Sequence, residues 1–231
     1  MNIASFQKFT MVDYPGHVAT TVFTVGCNFR CPFCHNPELV LGTASLGGDK
    51  MLKEFFDFLK KRKGKLDAVC ITGGEPTLQP DLLDFMEKIK KIGYLVKLDT
   101  NGTRPDVVKK ALDRKIVDYI AMDIKNSLKN YEKTVGAKVD LERIKMSVEL
   151  IRNNKVDYDF RTTVVPGIHT EKDFDEIIEW IGGAKKYFLQ RFRDFKTLDK
   201  NIKEKTKNKT IDLEKLEKKL KKHFGIVGIR G

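Results

Sequence analysis

Ala19-Thr-Thr-Val-Phe-Thr-Val25-Gly26 runs straight into Cys27-Asn-Phe-Arg-Cys31-Pro-Phe-Cys34-His35-Asn36. The first half is β-branched and apolar and stops at a glycine, which predicts a buried strand over 19–25. The second half holds three of the four cysteines within eight residues, at C-x3-C-x2-C spacing. Thiolates packed this closely in a loop converge on one shared ion or cluster. Two donor sets stay open on the residues alone. Three thiolates on a four-iron cluster leave one iron without a protein ligand, where a small molecule can bind. A closed zinc site wants four protein donors. No fourth cysteine is near, so His35 is the candidate, though its adjacency to Cys34 makes a tetrahedron awkward.

Outward from this loop the same pattern recurs: an apolar strand, then a cluster of glycines or polar groups, then an amphipathic helix. A strand over 67–72 ends in Gly73-Gly74-Glu75-Pro76-Thr77. Two glycines let a ligand approach the backbone closely. A strand over 94–98 ends in Asp99-Thr-Asn-Gly102, and one over 119–122 ends in Asp123-Ile-Lys125. Alternation puts Asp123 and Lys125 on one side of an extended chain. A strand over 158–165 carries Arg161 and Thr163 on one face, and one over 186–190 runs into Arg191-Phe-Arg193. Helices are predicted over 50–63, 81–92, 105–114, 139–153, 171–181 and 212–222, several with stripes such as Leu52, Phe55, Phe56 and Leu59. Cys70 sits inside a strand and reads as a small core residue. His169 reads as a loop residue rather than a ligand. Residues 1–17 read as a lead-in with a turn at Val12-Asp-Tyr-Pro-Gly16, and 224–229 as a short terminal strand.

Six alternations of strand and helix call for a parallel sheet with right-handed crossovers. Side chains with chemistry recur where α/β barrels keep their sites, at strand C-termini. Six units in 231 residues fall short of a closed eight-unit barrel, typically about 250 residues. The expected fold is an open partial (βα)6 TIM-like barrel with parallel strands. Its lateral mouth suits a large substrate.

Composition narrows the class. The chain reads as one domain, 1–231, with a core over about 7–193 and a basic helical extension over 194–231. Net charge is +12. From Lys196 to Lys222 eleven Lys stand against five acids, so half the excess lies in one stretch. There Lys alternates with Glu, as on solvated helices, and no aromatics interleave for base stacking. This weighs against nucleic acid. No apolar run is long enough for a membrane span, and no signal peptide is visible. Clustered thiols without a disulfide framework point to the reducing cytoplasm.

Taken together, the motifs over about 7–193 resemble the radical S-adenosylmethionine (radical SAM) superfamily. The cysteine loop fits its C-x3-C-x-aromatic-C form with Phe33 in the aromatic slot, and Gly73-Gly74-Glu75 matches its GGE motif. The resemblance is nearest to glycyl-radical-enzyme activating proteins, of the anaerobic ribonucleoside-triphosphate reductase activating type, with pyruvate formate-lyase activases related. It implies the radical SAM fold, with Cys27, Cys31 and Cys34 holding a 4Fe-4S cluster and S-adenosylmethionine (SAM) on the open iron. It places Phe33, Cys34 and His35 of the loop, and Gly73, Gly74 and Glu75, against SAM. It implies a monovalent cation held by Asp99 and Thr100, with Asp123 and Lys125 serving SAM and the cation. Arg193 stands where the family tends to have a ribose-contacting His, a departure from the pattern. The Asp-Tyr-Pro-Gly turn is expected over the site. The implied partners are a glycyl radical enzyme and a one-electron donor such as flavodoxin or ferredoxin. A radical SAM enzyme of a small molecule or RNA, and a non-catalytic iron–sulfur or zinc protein, are the other readings.

Overall fold

The computed structural model describes residues 1–231. Its eight strands lie in one sheet in chain order: β1 (Ile3–Thr10), β2 (Ala19–Thr24), β3 (Ala68–Gly73), β4 (Leu95–Thr100), β5 (Tyr119–Asp123), β6 (Asp157–Val164), β7 (Lys186–Arg191) and β8 (Ile226–Arg230). β2 to β8 pair in parallel, and β1 pairs antiparallel to β2. β1 and β8 do not pair with each other, so the barrel stays open along one side. The six expected strands are β2 to β7.

β1 corrects the reading of residues 1–17 as a lead-in. Ile3 and Thr10 are buried at its two ends and Ala4 and Phe6 are half-buried, while Ser5 and the run Gln7–Phe9 are exposed. An edge strand half in solvent shows no apolar period. β8 begins two residues later than expected, at Ile226.

The crossovers are helices: α1 (Pro37–Leu41), α2 (Gly48–Lys61), α3 (Leu82–Ile92), α4 (Pro105–Asp113), α5 (Tyr131–Val135), α6 (Leu141–Arg152), α7 (Glu171–Ile181), α8 (Ile202–Thr206) and α9 (Leu213–Leu220). The long ones track the apolar stripes. α1, α5 and α8 span five residues each, too short to display a helical period. No helix is long and apolar enough to cross a membrane.

Two apolar clusters lie on opposite faces of the sheet. A 45-residue core fills the space between sheet and helices. A smaller cluster of Tyr14, Ala19, Ala68, Cys70, Tyr119 and Ala121 lies inside the barrel. Ala19, Ala68 and Tyr119 open β2, β3 and β5, so this cluster is the floor, at the N-terminal ends of the strands. The Tyr14 ring sits 5.6 Å from that of Tyr119. The Val12–Gly16 turn therefore plugs the floor and does not lie over the site. The cause is topological. β1 runs antiparallel, so its C-terminal end reaches the bottom of the sheet, and the turn must re-enter there to start β2.

Residues 194–231 are tied to the rest. Leu198 N donates to Cys34 O (3.0 Å) and Asp199 N to Pro32 O (2.9 Å), while β8 extends the sheet and α9 buries Leu213, Leu216 and Leu220.

Candidate active site at the open end of the barrel

The loop after β2 is held from several sides. Arg30 N donates to Val135 O at the end of α5 (2.8 Å), and the Arg30 guanidinium donates to Cys27 O (2.6 Å) and Phe29 O (2.8 Å). Gly136 meets the loop so closely that a Cβ there would stand 2.8 Å from Arg30 O. Phe29 and Phe33 are buried and anchor the loop in the core. Asn101 Nδ2 donates to Asn28 Oδ1 (2.9 Å), tying the loop to the end of β4. Backbone and side chains thus fix the positions from which the three thiols project.

Cys27, Cys31 and Cys34 line one cavity of about 220 Å³ at the C-terminal rim. Phe33, His35, Gly73, Gly74, Glu75, Asp99, Asp123 and Lys125 line it with them, as do Thr100, Asn101, Arg161 and Thr163. Residues from five strand ends therefore meet at one point. Arg193 lies outside, in a neighbouring depression with Arg191 and Arg230. Its carbonyl accepts from His35 Nε2 at 2.7 Å. The His35 ring stacks between Phe192 (5.9 Å) and Phe195 (5.0 Å). A histidine so engaged is poorly placed as a fourth zinc donor.

The glycines at 73 and 74 have a packing reason. A Cβ at Gly73 would stand 2.3 Å from Thr24 N, and one at Gly74 would stand 2.1 Å from Gly26 O. Only bare backbone lets the end of β3 close on the residue before Cys27. Glu75 is 1% exposed. Its carboxylate accepts from Thr77 N (3.1 Å), the Thr77 hydroxyl, Thr100 Oγ1 (2.8 Å) and Asn101 N (2.6 Å). Burial still pushes this carboxyl above its ordinary pKa. Glu75 laces β3 to β4 rather than offering a free carboxylate.

The wall opposite the thiols is an ion network. Arg161 bridges two carboxylates, with Nε to Asp123 Oδ1 (2.7 Å) and Nη2 to Asp99 Oδ2 (3.2 Å). Lys125 Nζ pairs with Asp123 Oδ2 (2.8 Å), and Lys97 pairs with Asp99. Burial pushes Asp123 up, but Arg161 and Lys125 outweigh it and hold the carboxyl well below the usual range. Asp99 is lowered by the same balance, against burial, through Arg161 and Lys97. Lys97 stands behind this wall, outside the cavity lining, while Lys125 and Arg161 face the cavity with Asp99 and Asp123. Sequence reasoning set Arg161 and Thr163 inward but missed Lys97; its i, i+2 spacing to Asp99 along a strand was the available signal.

His169 is 3% exposed and orients Lys125. Nδ1 accepts from Val165 N (3.0 Å), so Nε2 carries the proton and donates to Lys125 O (2.8 Å). Burial lowers its pKa and keeps the ring neutral.

Burial pushes the Cys27 thiol up to about 11 and Cys31 up to about 12. Metal binding must therefore displace their protons. A mononuclear zinc site needs its donors on one tetrahedron, whereas a cubane spreads three thiolates around its corners. Three sulfur donors in one cavity, without a fourth, fit an iron–sulfur cluster with an open corner.

Comparison with known proteins agrees. Residues 21–181 match the Radical SAM superfamily model. A Methanocaldococcus jannaschii protein with the provisional name glycyl-radical enzyme activating enzyme is 32% identical over 99% of this chain and 95% of its own. The pyruvate formate-lyase-activating enzyme of Listeria monocytogenes is 38% identical over 53% of this chain and 52% of its own, so this chain spans about half of that relative. Among solved structures, Streptococcus suis SuiB bound to S-adenosylmethionine superposes with a TM-score of 0.60 at 15% identity, over 89% of this chain and 48% of that one. That likeness concerns the fold. With the family model spanning most of the chain and the sulfur loop standing where its sheet ends, this protein belongs to the radical SAM superfamily.

Proposed function

We propose that the protein activates a glycyl-radical enzyme, of the anaerobic ribonucleoside-triphosphate reductase kind. One observation carries the reading: three thiols with no fourth donor share a cavity with a partly buried Asp/Arg/Lys wall, in a barrel open along one side. The full-length similarity to the Methanocaldococcus jannaschii protein supports the activase class. The partner rests on the resemblance of the motifs. When bound, a 4Fe-4S cluster carrying SAM supplies reductive cleavage of the cofactor and, from it, hydrogen abstraction from a glycine. The residues hold and orient. Cys27, Cys31 and Cys34 provide the sulfur ligands. Lys125 and Arg161 offer donors to the SAM carboxylate, and Asp99 and Asp123 offer acceptors to its ammonium. Asp99 with Thr100 is the place for a monovalent cation. Glu75 braces the loop behind Gly73 and Gly74, whose main chain faces the cavity. The gap between β1 and β8 admits a protein loop.

Anaerobic reconstitution with iron and sulfide, followed by dithionite and SAM, tests this. Release of 5′-deoxyadenosine is expected, together with a glycyl-radical EPR signal on added anaerobic reductase. A zinc-only, colourless protein would overturn the reading. Release of 5′-deoxyadenosine with no radical on any glycyl-radical enzyme would redirect it to a small-molecule or RNA substrate.

A further inference from the structure

β4 sends two charged side chains into the barrel, and they stand at different levels. Lys97 and Asp99 are two residues apart and share one face of the strand. Asp99 lines the cavity at the rim, and Lys97 does not. Lys97 is level with the floor: it pairs in register with Cys70 of β3 and Tyr119 of β5, both members of the floor cluster. It is 2% exposed, and a lysine so buried is almost never left without a partner. Cys70 does not supply one, because burial pushes its thiol up to about 12 and keeps it neutral. The one ion pair of Lys97 runs upward, to Asp99 Oδ1.

From Lys97 the charges alternate in single file through Asp99, Arg161 and Asp123 to Lys125. The Asp99 carboxylate is divided between two cations. Its Oδ1 faces Lys97, and its Oδ2 faces Arg161 Nη2 at 3.2 Å. Arg161 Nε donates to Asp123 Oδ1 (2.7 Å), whereas Nη1 donates no hydrogen bond within the protein. A guanidinium carries donors on both Nη atoms, so this one keeps a free edge. Without Lys97, Asp99 Oδ1 would lose its partner where burial penalises a bare charge. The planar fork of an arginine grips a carboxylate best with two parallel bonds. Asp99 would then draw both Nη atoms of Arg161 to itself.

We propose that Lys97 is a positioning residue for cofactor binding: by holding Asp99 from the floor side, it leaves Nη1 of Arg161 free for the SAM carboxylate. The inference rests on the reading above, in which Arg161 serves that carboxylate. Lys97 is outside the cavity and acts only through Asp99.

The test measures carboxylate preference on the anaerobically reconstituted full-length protein. Two ligands are titrated calorimetrically: SAM, and decarboxylated SAM, which keeps the sulfonium and the amine but has no carboxylate. The proteins are the wild type, Lys97→Met and Lys97→Met/Asp99→Asn, each checked for folding by its urea midpoint before reconstitution. Lys97→Met is expected to bind SAM at least about tenfold more weakly, the loss of one charge-assisted hydrogen bond, and decarboxylated SAM as the wild type does. The double variant removes the Asp99 charge together with its partner and so releases Arg161. Its preference for SAM should return to within about twofold of the wild type. It leaves no carboxylate without a partner, so it carries the test if Lys97→Met alone does not fold; a preference lost there too would overturn the proposal. Equal SAM affinity in the wild type and Lys97→Met would overturn the role of Lys97. So would an equal loss for both ligands, which is what a general loosening of the site gives. No preference for SAM in the wild type would overturn the assignment of Arg161 to the carboxylate, and Lys97's role with it. Failure of dithionite to drive any 5′-deoxyadenosine release in a wild type that binds SAM selectively would overturn the activase reading alone.

Discussion

Cys31 and Cys70 stand at opposite ends of the same barrel and look alike by every local measure. Each is buried, and burial pushes each thiol up to about 12. Their company differs. Cys70 belongs to the floor, among Tyr14, Ala19, Ala68, Tyr119 and Ala121. Cys31 shares its cavity with two more thiols and with Lys125 and Arg161. Burial and acidity therefore do not mark a ligand; convergence does. The same strands serve both ends, giving packed volume at the floor and unsatisfied chemistry at the rim.

The largest effect should separate these two thiols. Alanine at Cys27, Cys31 or Cys34 is expected to abolish iron retention and SAM cleavage. Cys70→Ala should keep both and cost about 1 kcal/mol in stability through a small cavity. Iron content, 5′-deoxyadenosine release and urea melts read the outcome. Equal loss of iron at Cys70 would break the comparison.

A step down in size, Arg161→Ala should destabilise the fold by about 1–3 kcal/mol, because Asp99 and Asp123 lose the partner they share and keep only Lys97 and Lys125. Removing an exposed pair such as Lys53–Asp57 should leave stability nearly unchanged. Chemical denaturation of the two variants checks this. A small loss at Arg161 would mean that the rim is wetter than its burial suggests.

The smallest effect is a pH dependence from His169. Its folded-state pKa is lowered by burial, so the unfolded chain takes up the proton first as pH falls. Stability should be full above about 6.5 and decline below it, by at most about 1.4 kcal/mol per pH unit from this group. Urea midpoints at pH 7.5 and 5.5 measure it, with His169→Gln as the comparison. A profile unchanged by that substitution would remove His169 as the cause.

Much of the site was legible locally. Cys27, Cys31 and Cys34 are brought together by loop spacing, and Gly73–Glu75, Asp99, Asp123 and Lys125 each end an apolar run. Periodicity placed the helix over 171–181 at its observed bounds. β1 was not legible, because Gln7, Lys8 and Phe9 are all exposed and break the alternation that Ile3 to Phe6 begin. The floor plug was not either, since its place depends on the direction of β1. The commitment of Glu75 to Thr77, Thr100 and Asn101 crosses a gap of up to 26 residues. The Arg161 bridge joins three strands, and no window along the chain contains it.

The amino-acid order alone determined that three sulfur donors would share one loop and that polar groups would close each strand, because both are facts of spacing along a covalent chain. Only the folded barrel decided which end was the floor and which carboxylate was already spoken for. Those outcomes depend on which distant groups meet when the strands pair, and pairing is settled by packing rather than by proximity in the chain.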